Sequence, residues 1–132
     1  MIRKLLSAGV LAIFALVWAN APASVPTGEV LKGIASYYHD SLHGRKTASG
    51  VPYNKRALTA AHKTLPLGTK VKVTDATTGK SIVVKINDRG PFVKGRIIDL
   101  SRRAARELGM VRKGLTKVRV EILATPKGST RS

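Results

Sequence analysis

The segment Lys117-Val118-Arg119-Val120-Glu121-Ile122-Leu123 alternates charged and aliphatic residues, the period-2 signature of a strand with one wet and one buried face. Thr69-Lys70-Val71-Lys72-Val73-Thr74 repeats that pattern. Ser81–Ile86 and Arg96–Leu100 are β-branched runs, Gly33–Tyr38 is a further strand candidate, and Leu58–His62 is short and apolar. Turn chemistry separates them: Leu65-Pro66-Leu67-Gly68, Thr77-Thr78-Gly79 and Asn87-Asp88-Arg89-Gly90-Pro91. One helix is expected over Arg102–Leu108, with Ser101 as N-cap and Gly109 at its stop. Short strands, one helix and many turns describe a mainly β chain, a small β-barrel. His39–Ala57 is rich in Gly, Ser, Asn, Lys and Arg and reads as a long loop, a kind that is usually functional or disordered.

The first 23 residues have a separate logic. Arg3 and Lys4 precede an uncharged apolar run from Leu5 to Trp18, and Ala21-Pro22-Ala23 offers a small-residue cleavage site. This is the layout of a secretory signal peptide, cut after Ala23. The run is short for a bilayer span, which takes about 20 apolar residues. Residues 24–32, with Pro26 and Gly28, are expected to be a tether, 33–124 the barrel, and 125–132 a loose polar tail.

No cysteine is present, so disulfides, thiolate chemistry and a lipid-bearing Cys are excluded. The expected product is a soluble protein, periplasmic or extracellular, with no stable membrane anchor. Its 109 residues are enough for one domain with a real core. The formal charge of the whole chain is +17, and loss of Arg3 and Lys4 leaves +15. Such a charge attracts polyanions. For an exported chain these are the bacterial wall, anionic lipid or lipopolysaccharide. Nucleic acid is not the expected partner, because only Tyr37, Tyr38, Tyr53 and Phe92 are available for stacking after cleavage.

Acids are scarce: Glu29, Asp40, Asp75, Asp88, Asp99, Glu107 and Glu121. Asp88 and Asp99 each end an apolar strand, where a carboxylate in a cleft can exchange a proton. Asp88 equally suits a turn that caps the Asn87–Pro91 backbone, and Asp99 equally suits pairing with Arg96 or the helix start. His62 closes an apolar run, a common place for a satisfied, half-buried histidine. His39 and His43 lie four apart without a third ligand type nearby, so no metal is expected. Phosphate loops and serine nucleophile elbows are missing as well.

Several blocks resemble the rare lipoprotein A family: Gly33–Tyr38, His43-Gly44-Arg45-Lys46-Thr47-Ala48-Ser49-Gly50, Leu58–Thr69, Val84–Phe92 and Gly95–Ser101. They run in order over nearly all of the chain beyond residue 33. The resemblance implies a six-stranded double-psi β-barrel with one short helix, related in fold to expansins and barwin-like domains. It also implies an endolytic lytic transglycosylase. Such an enzyme cleaves the bond from N-acetylmuramic acid to N-acetylglucosamine, leaves 1,6-anhydro ends, and prefers naked glycan strands without stem peptides. The site residues so implied are Asp88 and His62 for catalysis and Tyr38, Asn87, Arg89 and Asp99 for substrate binding. No metal and no cofactor is implied.

Because the muramic C6 hydroxyl is the nucleophile, no water need be activated on the far face, and one carboxyl can act first as acid and then as base. The chain departs from the family at two positions: Val51 stands where Glu is common and Asn54 where Asp is common. Two readings therefore stand side by side. Either Asp88 supports cleavage without that partner, or the domain is a non-catalytic, expansin-like module that binds peptidoglycan.

Overall fold

A computed structural model describes residues 26–126. Six strands carry the fold: β1 (Val30–Tyr37), β2 (Thr59–Ala61), β3 (Lys70–Asp75), β4 (Ser81–Asp88), β5 (Arg96–Leu100) and β6 (Thr116–Ala124). One α-helix, α1 (Arg102–Leu108), sits between β5 and β6. The strands close into a barrel in the order β1-β5-β2-β4-β3-β6. The pairs β1/β5 and β2/β4 are parallel, and the other four are antiparallel. Among the described residues, closure leaves no long free strand edge.

The barrel core follows from the alternation. Val71 and Val73 of β3, Ile82, Val84 and Ile86 of β4, and Val118, Val120 and Ile122 of β6 point inward. Ile98 and Leu100 of β5 join them, and Ala104, Ala105, Leu108 and Met110 cover one side. Each buried Val, Leu or Ile contributes about 1.5–3 kcal/mol relative to exposure. Their charged neighbours Lys70, Lys72, Lys85, Lys117 and Arg119 face out.

Helix α1 is delimited as its sequence predicts. The Ser101 hydroxyl oxygen accepts from Ala104 N at 3.2 Å and donates to Ala57 O at 2.6 Å. One side chain thus caps the helix and ties it to the segment entering β2. Gly109 takes the left-handed conformation at φ 80°, and its N–H meets the carbonyls of Ala105 and Arg106.

Two boundaries differ from expectation. Val30-Leu31-Lys32, expected in the tether, belong to β1 and pair with Glu121, Val120 and Arg119. Gly28 N also donates to Ile122 O, and Ile122 N to Glu29 O. The cause is long-range: β6 needs a partner along its whole length for the barrel to close, and this segment supplies it. Strand β4 likewise runs on through Asn87 and Asp88, where the turn signal suggested a break. The long loop holds a turn of 3-10 helix at Asp40–Leu42 and a Lys46–Pro52 bridge. Of the expected tail, Pro126 lies beside Gly68. The expected signal peptide at 1–23 and residues 127–132 fall outside the described residues.

Candidate active site

The site begins with a register shift. Ala60 of β2 stands opposite Ile86 of β4, yet the next residue, Ala61, stands opposite Asp88 rather than Asn87. Such a bulge re-aims the side chains that follow it. On its other side Ala61 pairs with Asp99 of β5, and Asp99 pairs in turn with Ser36 of β1. Ser36, Asp99, Ala61 and Asp88 therefore form one row across four strands. The backbones of the two acids are two strand spacings apart, about 10 Å. Ala61 is the residue paired with both of them, on the strand between.

Asp88 is held from three directions. Oδ1 accepts from Ala48 N at 2.8 Å and from Arg89 N at 2.9 Å, and Oδ2 accepts from the Tyr38 hydroxyl at 2.5 Å. An ionised carboxylate is acceptor-only, and three donors meet it here. Ala48 comes from the long loop, so Asp88 also pins that loop over the barrel end. The turn-capping use of Asp88 is limited to its own neighbour Arg89; the other two contacts cross 50 and 40 residues of sequence.

Tyr38 is the hinge of the arrangement. Its backbone N–H continues the β1/β5 ladder to Leu100 O. Its ring stacks on Tyr53, with centroids 4.3 Å apart and planes 16° from parallel. Burial, then the hydrogen bond to Asp88 and that residue's charge, push the Tyr38 phenol far above its ordinary value, so it stays a neutral donor. Burial likewise raises Tyr53, against the bond that its oxygen accepts from Arg102 N at 3.0 Å.

Asp99 occupies a drier place. Its Oδ1 accepts from Ser36 Oγ at 3.1 Å, and Arg96 Nε reaches the same hydroxyl at 3.3 Å. Burial raises its pKa, the Ser36 bond and Arg96 oppose that, and the charge of Asp88 adds to the rise. The pairing with Arg96 is therefore relayed through Ser36.

His62 is placed behind this row. Its Nδ1 accepts from Thr64 N and Leu65 N, both at 3.1 Å, and its backbone N–H donates to Asp88 O. Burial, then the charges of Arg89 and Lys63, lower its pKa to about 4, so the ring is neutral. Arg89 completes the support: Nη1 donates to His62 O at 3.1 Å and to Leu65 O at 2.6 Å.

A cleft of about 330 Å³ opens over the row. Tyr38, Asp88, Arg89 and Asp99 line it, as do Arg45, Lys46, Tyr53 and Phe92. Two expected site residues lie elsewhere. His62 is not among the lining residues, and Asn87 turns to a separate depression shared with Ser49, Val51 and Lys85. Sequence reasoning passed over Tyr53, Arg45 and Ala48 as site residues; the available signal was a single aromatic within a polar loop. Among the described residues no group of three or more His, Asp or Glu side chains is placed to hold a metal ion.

Comparisons agree on what this barrel is. The family model described as lytic transglycolase matches residues 30–120. A protein of Pasteurella multocida named endolytic peptidoglycan transglycosylase RlpA is 58% identical over 97 residues, covering 74% of this chain and 33% of its own. A Campylobacter jejuni protein of the same name is 50% identical over 102 residues, covering 77% and 37%. The match thus spans about a third of the length of these relatives. Among solved structures, the Streptomyces papain inhibitor superposes with a TM-score of 0.60 at 24% identity, over 76% of this chain and all of its own. Clavibacter michiganensis expansin gives 0.57 at 24% identity, over 76% and 53%. At that identity they speak for the fold alone, a double-psi β-barrel. The chain belongs to the lytic transglycolase family and is an RlpA-like member of it.

Proposed function

We propose that this barrel is an endolytic peptidoglycan lytic transglycosylase acting on glycan strands. The observation that carries the reading is the pair Asp88 and Asp99, in one row on either side of Ala61 beneath an open cleft. The names of the relatives point to the same chemistry.

The muramic C6 hydroxyl attacks C1 while the bond from C1 to the next sugar's O4 breaks. The departing O4 takes a proton, and the C6 hydroxyl loses one. The products are a 1,6-anhydro end and a free 4-hydroxyl, with no water consumed. Asp99, whose burial favours its protonated form, suits the donation. Asp88, which lines the cleft in the same row, is placed to accept the C6 hydroxyl proton. Exchange with solvent restores both. Tyr38 touches Asp88 and fixes its Oδ2, and Phe92, 79% exposed at the rim, offers an apolar face to a sugar ring.

His62 is a positioning residue in this scheme. It holds the turn whose carbonyls anchor Arg89, beside Asp88. Asn87 and Arg89 serve the site through the backbone and that anchor. The protein works on wall glycan outside the cytoplasm, as the leader-like residues 1–23 and the basic surface suggest.

A second reading rests on Val51, which is 58% exposed and brings no carboxylate to the neighbourhood of the cleft. In that reading the barrel binds glycan without cutting it. Digestion of purified sacculi, with analysis of soluble products for anhydro ends, separates the two. Cleavage predicts such ends from the parent chain and none from Asp88→Asn. Sedimentation with sacculi but no soluble product at any pH from 4 to 9 would leave binding alone.

A further inference from the structure

A hollow of about 410 Å³ opens where β1 meets β6, lined by Gly33, Ile34, Ala76 and Val118, with Lys32, Lys117 and Arg119 as its charged members. That size is within the range of ligand pockets. The register crowds the charge: Lys32 stands directly opposite Arg119, and Lys117 opposite Ile34. Like charges paired across an antiparallel sheet destabilise it. Among the described residues none of the three cations has an ion pair to offset that. The neighbouring row runs Val30, Glu121, Lys72, Val83 over β1, β6, β3 and β4, and both valines are exposed. None of these residues lines the cleft. Strands β5 and β2, which carry Asp99 and Ala61, lie across the closed barrel from β3 and β6.

A ligand for this wall needs an anion and an aliphatic part side by side. A phospholipid has both, a phosphate joined to glycerol esters and acyl chains. A glycan strand or a nucleic acid matches the charge but brings no aliphatic chain to the hollow. We propose that the β1–β6–β3 wall docks on a bilayer surface of anionic phospholipid, with phosphates among Lys32, Lys117 and Arg119 and the glycerol–acyl boundary against the hollow. Charge attraction and shallow apolar burial add in such interfacial binding. The contact is peripheral and reversible. It leaves the cleft free for glycan and holds whether or not the cleft cleaves.

The closed barrel and its core lie within residues 26–126, so the test uses the chain from Ser24 onward, without the apolar run of Leu5–Trp18. Its flotation is compared, at low salt, with vesicles of phosphatidylcholine alone and vesicles half phosphatidylglycerol. The anionic vesicles should bind about a hundredfold tighter, the scale of three cations at about fivefold each. Lys32→Gln with Lys117→Gln and Arg119→Gln should lose most of that factor. The same charge loss at the exposed Arg56, Lys63 and Arg106, on other elements, should cost about tenfold at most. Ala76→Gln keeps the charge, puts an amide at the hollow and should weaken vesicle binding about threefold or more. Equal binding to the two vesicles, an equal loss from the control variant, or parent-like binding by Ala76→Gln overturns the docking. A triple variant that loses sacculi or duplex DNA as steeply as vesicles assigns the wall to polyanions at large and overturns the lipid. Lys32→Gln alone should raise the denaturant midpoint, since it relieves the pairing with Arg119. A lower midpoint would give Lys32 a structural role and overturn its assignment to a ligand.

Discussion

The Tyr38 hydroxyl donates to Asp88 Oδ2 while the Tyr38 ring lies flat against Tyr53, so one side chain joins the carboxylate to the aromatic stack beneath the loop. Tyr38→Phe keeps the stack and removes only the donor. Hydrogen bonds to charged groups contribute about 1.5–3 kcal/mol, so the variant should lose stability of that order, read as a lower denaturant midpoint. It should also lower anhydro-end release by about tenfold or more, because Asp88 Oδ2 loses its fixed direction. Unchanged release would show that the phenol is not needed to aim Asp88.

Asp99 should control the alkaline limb of activity. Its raised pKa keeps a proton on the carboxyl to higher pH than an ordinary aspartate, and release should fall as pH climbs through that value. Asp99→Asn cannot give up a proton and should lose about 10²–10⁴-fold in turnover. A pH–rate profile of parent and variant checks this; an Asp99→Asn variant with the parent's rate and profile would assign the proton elsewhere.

His62 should make the fold sensitive to mild acid. Its pKa is about 4 when folded and about 6.5 when unfolded, so the unfolded chain binds the proton first as pH falls. The stability that comes from keeping this ring neutral is fully present above pH 6.5. It is lost progressively between about pH 6.5 and 4, by at most about 3 kcal/mol. His62→Asn keeps an acceptor for the Thr64 and Leu65 amides and does not titrate, so its stability should change less across that window. Denaturant melts at several pH values measure the difference.

Asp75 provides a contrast between a structural and a reactive acid. It is 1% exposed and accepts from Thr77 N, Thr78 N, Thr116 Oγ1 and Lys113 Nζ. Burial acts to raise its pKa, but the two amides and Lys113 outweigh it, and the net shift is downward. Asp75→Ala should cost about 2–4 kcal/mol by orphaning these donors, with glycan binding by the remaining folded protein unchanged.

Ala61 sets the width of the site. Ala61→Leu would place a branched side chain between Asp88 and Asp99 and against the Tyr38–Tyr53 pair. Overpacking of this kind costs about 1–3 kcal/mol, and glycan release should fall even in molecules that remain folded. Ala61→Gly should retain more activity than Ala61→Leu.

Much of this molecule was legible from local pattern. The alternation of Lys and Val marked β3 and β6, and Ser101 and Gly109 marked the ends of α1, because strand and helix faces repeat at short sequence range. The Asn87-Asp88-Arg89-Gly90-Pro91 block drew attention to Asp88 before any contact was known. The start of β1 was not legible, since Val30-Leu31-Lys32 becomes a strand only when β6 lies beside it. Nor was the place of Tyr53: nothing local says that a loop tyrosine will stack on Tyr38, fifteen residues earlier.

The sequence by itself determined the barrel's inward and outward faces, the cap and stop of its helix, and the scarcity of acids that made Asp88 and Asp99 stand out. Tertiary structure alone decided which of those groups meet. A one-residue shift opposite Ala60 brings Asp88, in place of Asn87, beside Ala61 and into line with Asp99. Register between strands is a property of two chain segments at once. In a β-sheet a slip of one residue exchanges the faces, so that choice belongs to the closed barrel and not to either strand.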